Sequence, residues 1–220
     1  MPIFIAANFS ACSYWQSADN SNSLKNSELI AETSTNIPFS TREPENFQAE
    51  IVVSSFANNS KTEQKYFIAK NGEKSLQKFY AGSENERSIL RLSGNELFLI
   101  NNKLKNYREI SNEKSDVFSD DSLIKNLTSK LLNEKASAEF EKLGTENKLS
   151  KYRIKFEDAK NSEILIFVDE KINIPVKQEF YSVAGDKKTL TYAIEIKNFK
   201  PQAEENLFQL PKDYRQIDAK

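Results

Sequence analysis

Phe47-Gln-Ala-Glu-Ile-Val-Val-Ser54 decides the fold: Phe47, Ala49, Ile51 and Val53 fall on one side of an extended chain, and Gln48, Glu50 and Ser54 on the other. Successive side chains of a strand point to opposite faces, so this period of two predicts a strand with one oily and one wet side. Working outward, the same beat recurs over Thr62–Lys70 (Tyr66, Ile68), Ser75–Ala81 (Leu76, Tyr80), Arg87–Ser93 (Leu90, Leu92), Glu96–Asn101 (Leu97, Leu99) and Lys105–Ile110. The separators Asn58-Asn59-Ser60, Asn71-Gly72, Gly82-Ser83, Gly94-Asn95 and Asn101-Asn102 are turn formers that tolerate positive φ. Strands joined this way make an antiparallel meander.

Past residue 110 the beat changes. In Ser119-Asp-Asp-Ser-Leu-Ile-Lys-Asn-Leu-Thr-Ser-Lys-Leu-Leu132, Leu123, Leu127 and Leu131 recur every four residues behind an acidic start, which predicts an amphipathic helix beginning near Asp120. Either the helix runs on through Ala136–Leu143 to Gly144, or Ala138–Glu146 is already strand. Four more strands follow at Lys151–Glu157 (Tyr152, Ile154, Phe156), Glu163–Asp169 (Ile164, Ile166, Val168), Val176–Ala184 (Val176, Phe180) and Thr189–Phe199 (Leu190, Tyr192, Ile194, Ile196). In the last, Thr191, Glu195 and Lys197 take the wet side. About ten antiparallel strands do not stay flat, because their twist accumulates and the sheet curls. One helix is too small to cover the oily side of such a curl, so either the preceding segment plugs the hollow or another molecule does.

Upstream, Met1-Pro-Ile-Phe-Ile-Ala-Ala-Asn-Phe-Ser-Ala11 reads as the apolar part of an export signal, too short for the roughly 20 residues that a spanning helix needs. Residues 13–44 are rich in Ser, Asn and Thr and read as a flexible tether, with the folded domain over 45–220. Trp15 and Tyr14, close after Cys12, either sit at a membrane interface or are chance aromatics.

Composition excludes much chemistry. The chain of 220 residues has no histidine and one cysteine, Cys12, so histidine-dependent nucleophiles, the usual zinc sites and an intramolecular disulfide drop out. Its 31 basic and 32 acidic side chains nearly cancel, leaving no one-signed field for nucleic acid. The five glycines form no phosphate-cradling loop, and no cofactor is expected. Asp120-Asp121 and Asp169-Glu170 read as a helix start and a strand-ending turn before they read as catalytic or calcium-binding pairs.

Two resemblances enter here. Phe9-Ser-Ala-Cys12 resembles the lipobox of bacterial lipoproteins, which implies that Cys12 is acylated, that residues 1–12 are signal and lipobox, and that the protein is held in the envelope, facing the periplasm from the outer membrane. The second half resembles the superfamily of periplasmic lipoprotein carriers typified by LolA, LolB, LppX and RseB. The matching elements are Lys142-Leu-Gly-Thr-Glu146 with Lys151-Tyr-Arg-Ile154, Ile166-Phe-Val-Asp169 with Ile174-Pro-Val-Lys177, and Leu207-Phe-Gln-Leu-Pro-Lys-Asp-Tyr214. That resemblance implies a mainly β fold, a strongly curved antiparallel sheet forming a half-open barrel covered by one or more helices. It also implies a concave face that accepts lipid or lipoprotein acyl chains, and no shared catalytic residue, so no enzyme is expected.

The side chains expected to line that face are Phe47, Ile51, Val53, Tyr66, Ile68, Tyr80, Leu90, Leu92, Leu123, Leu127, Leu131, Tyr152, Ile154, Phe156, Ile166, Phe180, Tyr192 and Ile194. The same residues would make an ordinary filled core, in which case the protein is an envelope interaction or stress-sensor protein that meets a protein partner.

Overall fold

The computed structural model describes residues 33–34, 37–40, 44–58, 60–92, 96–110, 138–156 and 161–218. The lipobox and Cys12, the first part of the tether and the helix with Leu123, Leu127 and Leu131 lie outside the described residues. The strands are β1 (Thr33–Ser34), β2 (Asn46–Ala57), β3 (Ser60–Asn71), β4 (Lys74–Phe79), β5 (Arg87–Arg91), β6 (Leu97–Asn101), β7 (Asn106–Glu109), β8 (Ala138–Glu146), β9 (Leu149–Phe156), β10 (Ser162–Asp169), β11 (Ile174–Ala184), β12 (Lys187–Lys200) and β13 (Arg215–Gln216). They form one sheet in the order β1-β8-β9-β10-β11-β12-β2-β3-β4-β5-β6-β7-β13. The sheet does not close, and it is the open curved sheet of a half-barrel.

Two meanders, β2–β7 and β8–β12, are joined side by side where the last long strand meets the first. Val53 lies opposite Ile194 and Ile51 opposite Ile196, so the oily sides of the two most regular stretches become one surface. We call this side the inner face and the other the outer face. Alternation dictates this register, since a slip of one residue would turn every oily side chain of β12 outward.

Local chemistry sets the turns. Asn147 and Lys148, at φ of 52° and 65°, make a two-residue connection with both centres left-handed, matching the twist of β8 and β9. Gly72, at φ 58°, closes the Asn71-Gly72 hairpin where a Cβ would be strained. Register shifts fall between Lys142 and Gly144, Phe167 and Val168, Phe180 and Tyr181, and Lys197 and Lys200. An irregularity of this kind bends a strand and increases its twist, so their concentration in the second meander is where the curl is generated. Pro175, opposite Val168 just past one such shift, falls where a missing N–H is tolerated.

Among the described residues three buried clusters hold the sheet. Two are on the inner face, one built on β2–β6 and β12 and one on β8–β10, with Phe180 packed against both. The third lies on the outer face of β3–β6, where Ala69, Leu76, Leu90, Phe98 and Ile100 pack under Phe208. Residues 203–214 form a strap over them. Ala203 N–H donates to Asn46 Oδ1 (3.0 Å), Glu204 N–H to Gln48 Oε1 (2.9 Å), and the Tyr214 hydroxyl to Asn102 Oδ1 (3.3 Å). The Leu207-to-Tyr214 motif therefore has a packing role, and Phe208 at 5% exposure contributes about 2 kcal/mol by burial alone.

Of the two readings open for Ala138–Glu146 the structure shows the strand, pairing with β9 on one side and β1 on the other. The structure differs from the reading of the sequence in two places. The stretch read as tether is part of the sheet at its end: Thr33 and Ser34 pair with Glu141 and Phe140, Ser40 N–H donates to Asn173 O (2.8 Å), and Phe39 is buried. Leu90 and Leu92 lie on the outer face under the strap rather than on the inner face, and Tyr80 stands in the turn past the end of β4.

Candidate ligand-binding face

The inner face carries an apolar surface from β8 across to β6. Of the side chains expected to line it, Phe47, Ile51, Val53, Tyr66, Ile68, Tyr192 and Ile194 are in one cluster, together with Phe79, Ile89 and Leu97. Tyr152, Ile154 and Ile166 are in the other with Phe140, Ile164 and Val168, and Phe180 bridges the two. Phe156 ends β9 opposite Ala138. The ring of Phe180 meets that of Tyr192 at 5.6 Å, and burial pushes the Tyr192 phenol above its ordinary pKa. This surface is built to exclude water rather than to ionise.

Leu90 and Leu92 are on the outer face beneath the strap, and Tyr80 stands in the turn after β4 at φ 56°, half exposed. Ser75, Gln77 and Phe79 are the inner-face residues of β4, opposite Arg91, Ile89 and Arg87 of β5. Each strand has a buried apolar residue on both sides, Phe79 and Ile89 inside and Leu76 and Leu90 under the strap, so alternation alone does not say which side is which. Phe39 was not foreseen. It is seated 5.8 Å from the ring of Phe140 and 6.2 Å from that of Tyr152, and its only sequence signal is an aromatic after Pro38 in a polar stretch.

At one end the inner face opens into a groove of about 500 Å³ whose walls include Val53, Ser55, Thr62, Gln64 and Gly82, with Tyr80 on its rim. A polar group also sits within the lining. Gln178 is 4% exposed, lies opposite Ile166 and Ile194, and its side-chain carbonyl oxygen has no hydrogen-bond partner among the described residues. An unpaired buried acceptor is costly, so it marks a place where a donor from another molecule would be welcome.

The outer face of the second meander carries the ion pairs. Glu141 meets Arg153 and Lys155 at 3.0 Å each, and Glu163 meets Arg153 at 3.1 Å and also Lys188. The hydrogen bond from Lys155, followed by Arg153, holds the Glu141 carboxyl below its usual pKa against the opposing effect of burial. Burial works against the charge of Glu179, but hydrogen bonds from Lys177 and Tyr181 outweigh it, and burial beside Glu179 pushes the Tyr181 phenol up to about 12. Asp169 caps its turn by accepting from Lys171 and Ile172 N–H, and Glu170 accepts from Thr145 and Ser150. Among the described residues no group of three or more His, Cys, Asp or Glu side chains is placed to hold a metal.

Register sorts the charges by face. Glu50, Glu63, Glu109, Glu139, Glu141, Glu146, Glu163, Asp169, Glu179 and Glu195 are the carboxylates of the described strands, and each alternates with inner-face positions so that it points outward. Lys70, Arg87, Arg91, Arg108 and Lys142 fall on inner-face positions.

No protein-family model matches this chain, and no curated protein does. Solved structures align with it. The MucA/MucB complex of Pseudomonas aeruginosa aligns over 78% of this chain and 58% of that one at 10% identity, with a TM-score of 0.45, so the present chain spans less than two thirds of the matched protein. An uncharacterized conserved protein of Thermus thermophilus aligns over 80% and 91% of the two chains at 9% identity and a TM-score of 0.42. A LolA superfamily protein of Nitrosomonas europaea aligns over 77% and 93% at 15% identity and a TM-score of 0.31. The structures to which the chain is similar, at 9–15% identity, thus include a LolA superfamily protein.

Proposed function

We propose that this protein is a non-enzymatic binding protein of the bacterial envelope that takes the acyl chains of a lipid or lipoprotein on the inner face of its half-barrel, held at the membrane through Cys12. One observation carries this reading: an apolar surface continuous from Phe140 through Phe180 to Leu97 lines the inside of a sheet that does not close. Affinity on such a surface comes from apolar burial, at about 25 cal/mol per Å², without any chemistry. The groove beside Tyr80 supplies an entrance, and Gln178 supplies a polar anchor within the lining.

Native mass spectrometry of the full chain purified from its membrane tests the reading. A co-purifying lipid adduct that leaves on detergent washing supports it; a bare mass at every detergent concentration contradicts it. For the anchor, labelling with a palmitate analogue should be lost in Cys12→Ala, and unchanged membrane partition of that variant would refute acylation at this site.

Phe39 favours a second reading. Its ring already fills part of the inner face between Phe140 and Tyr152, as a self-sealed sensor would have it. In that case the outer face or a sheet edge meets a protein partner, and the native mass is bare.

A further inference from the structure

The inner face is apolar and, among the described strands, charged with one sign only. Lys70 of β3 lies opposite Ser75 of β4, which lies opposite Arg91 of β5. Arg91 and Lys70 therefore stand in one row, two strands and about 10 Å apart. Leu97 separates Arg91 from the next strand, and Arg108 of β7 lies opposite Leu99, one pleat along. All three cations are half-buried, and among the described residues none of them has a carboxylate partner. On the outer face, by contrast, lysines and arginines are interleaved with carboxylates that neutralise them.

Half-buried cations without counter-charges have lost part of their hydration and gained nothing for it, so an anion is attracted there more strongly than at the open surface. Arginine adds a planar fork of donors that fits phosphate and carboxylate oxygens in pairs. The cations do not stand alone, because Ile89, Leu97 and Leu99 lie between and beside them on the same face. A freely soluble anion would leave those side chains unused, whereas an anionic amphiphile uses both.

We propose that the β3–β7 part of the inner face receives the headgroup of an anionic amphiphile, with Lys70, Arg91 and Arg108 as its contacts, while the acyl chain runs along the apolar lining toward β12. This rests on the lipid-binding reading above and adds to it the charge of the ligand.

The test compares two ligands with the same chain, palmitoyl lysophosphatidylglycerol and palmitoyl lysophosphatidylcholine, by equilibrium dialysis against the full chain below their micelle concentrations. The anionic lipid should bind at least tenfold more tightly, and this preference should shrink as salt is raised. In Arg91→Gln/Arg108→Gln the preference should disappear while zwitterionic binding stays as in wild type; Lys151→Gln on the outer face should leave it intact. If the double variant fails to fold, the salt dependence in wild type and the two single variants carry the test. Equal affinity for both lipids in wild type overturns the proposal and leaves the lipid-binding reading standing. Binding of neither overturns both. Displacement by glycerol phosphate alone as effectively as by the lipid would overturn the amphiphile in favour of a soluble anion.

Discussion

At the scale of single residues, face assignment decides what a substitution does. Tyr192 is on the inner face against Phe180, and Lys197 is on the outer face beside Glu195 in an exposed pair of 3.1 Å. Tyr192→Asp buries a charge among apolar neighbours and should lower stability by about 3 kcal/mol or more. Lys197→Asp removes a surface pair of small worth and should change stability by about 1 kcal/mol at most. Urea denaturation measures both, and equal damage would mean that the faces are misassigned. Gln178 gives the opposite sign. Replacing a buried amide whose oxygen is unpaired by an apolar side chain of similar size, Gln178→Leu, should raise the stability of the ligand-free protein by about 1 kcal/mol. A lower urea midpoint would show that the amide is satisfied. Residues in the regular stretches were legible because the period of two names their face outright: Phe47, Ile51, Val53, Tyr192 and Ile194 all lie where alternation puts them. Tyr80 and Phe79 were not, since both are aromatic and only the exact end of β4 separates them.

At the scale of elements, the strap and the second meander are held by different forces. Phe208 is the deepest side chain of the strap, and Phe208→Ala should cost about 3 kcal/mol and expose Leu90 and Leu76 beneath it. Faster amide exchange confined to β4–β6 checks this, and unchanged exchange there would show that the strap is not bracing the outer face. The second meander depends in part on charge. Glu141 is held ionised by Lys155 and Arg153, so its folded pKa is below its ordinary 4.5. Its contribution is thus present above about pH 4.5 and disappears as pH falls through the folded value. Thermal melts should show the gap between wild type and Glu141→Gln closing from pH 6 to pH 3; a gap that widens on acidification would contradict the pairing. The Leu207-to-Tyr214 motif packs over the outer face of β3–β6. Ala138–Glu146 stayed ambiguous because Ala138, Phe140 and Leu143 satisfy short stretches of either period, and pairing with β9 settles it as strand. Oily residues on both sides of β4 and β5 hid their inner face, because what covers the outer one is more than a hundred residues away in sequence.

At the scale of the whole molecule, curvature turns an alternating pattern into a container. Alternation makes one oily side, the β12–β2 pairing joins the two meanders into one surface, and the register shifts at Lys142, Phe167, Phe180 and Lys197 bend it. The curl was legible from strand number alone. The sorting of charge was not, since it emerges only when the strands and their registers are laid side by side, and neither was Phe39, whose place depends on contacts with β8 and β9.

The central claim is that an acyl chain lies against the inner face, and position-specific quenching tests it most directly. In a Trp15→Phe background, Phe180→Trp puts an emitter on the inner face and Phe167→Trp one on the outer face, where Lys151 and Lys177 flank the native ring. Titration with a brominated palmitoyl lipid should quench the emitter at 180 in a saturable way and leave the one at 167 bright. Equal quenching at both positions, or none at 180, would contradict a ligand held inside the half-barrel.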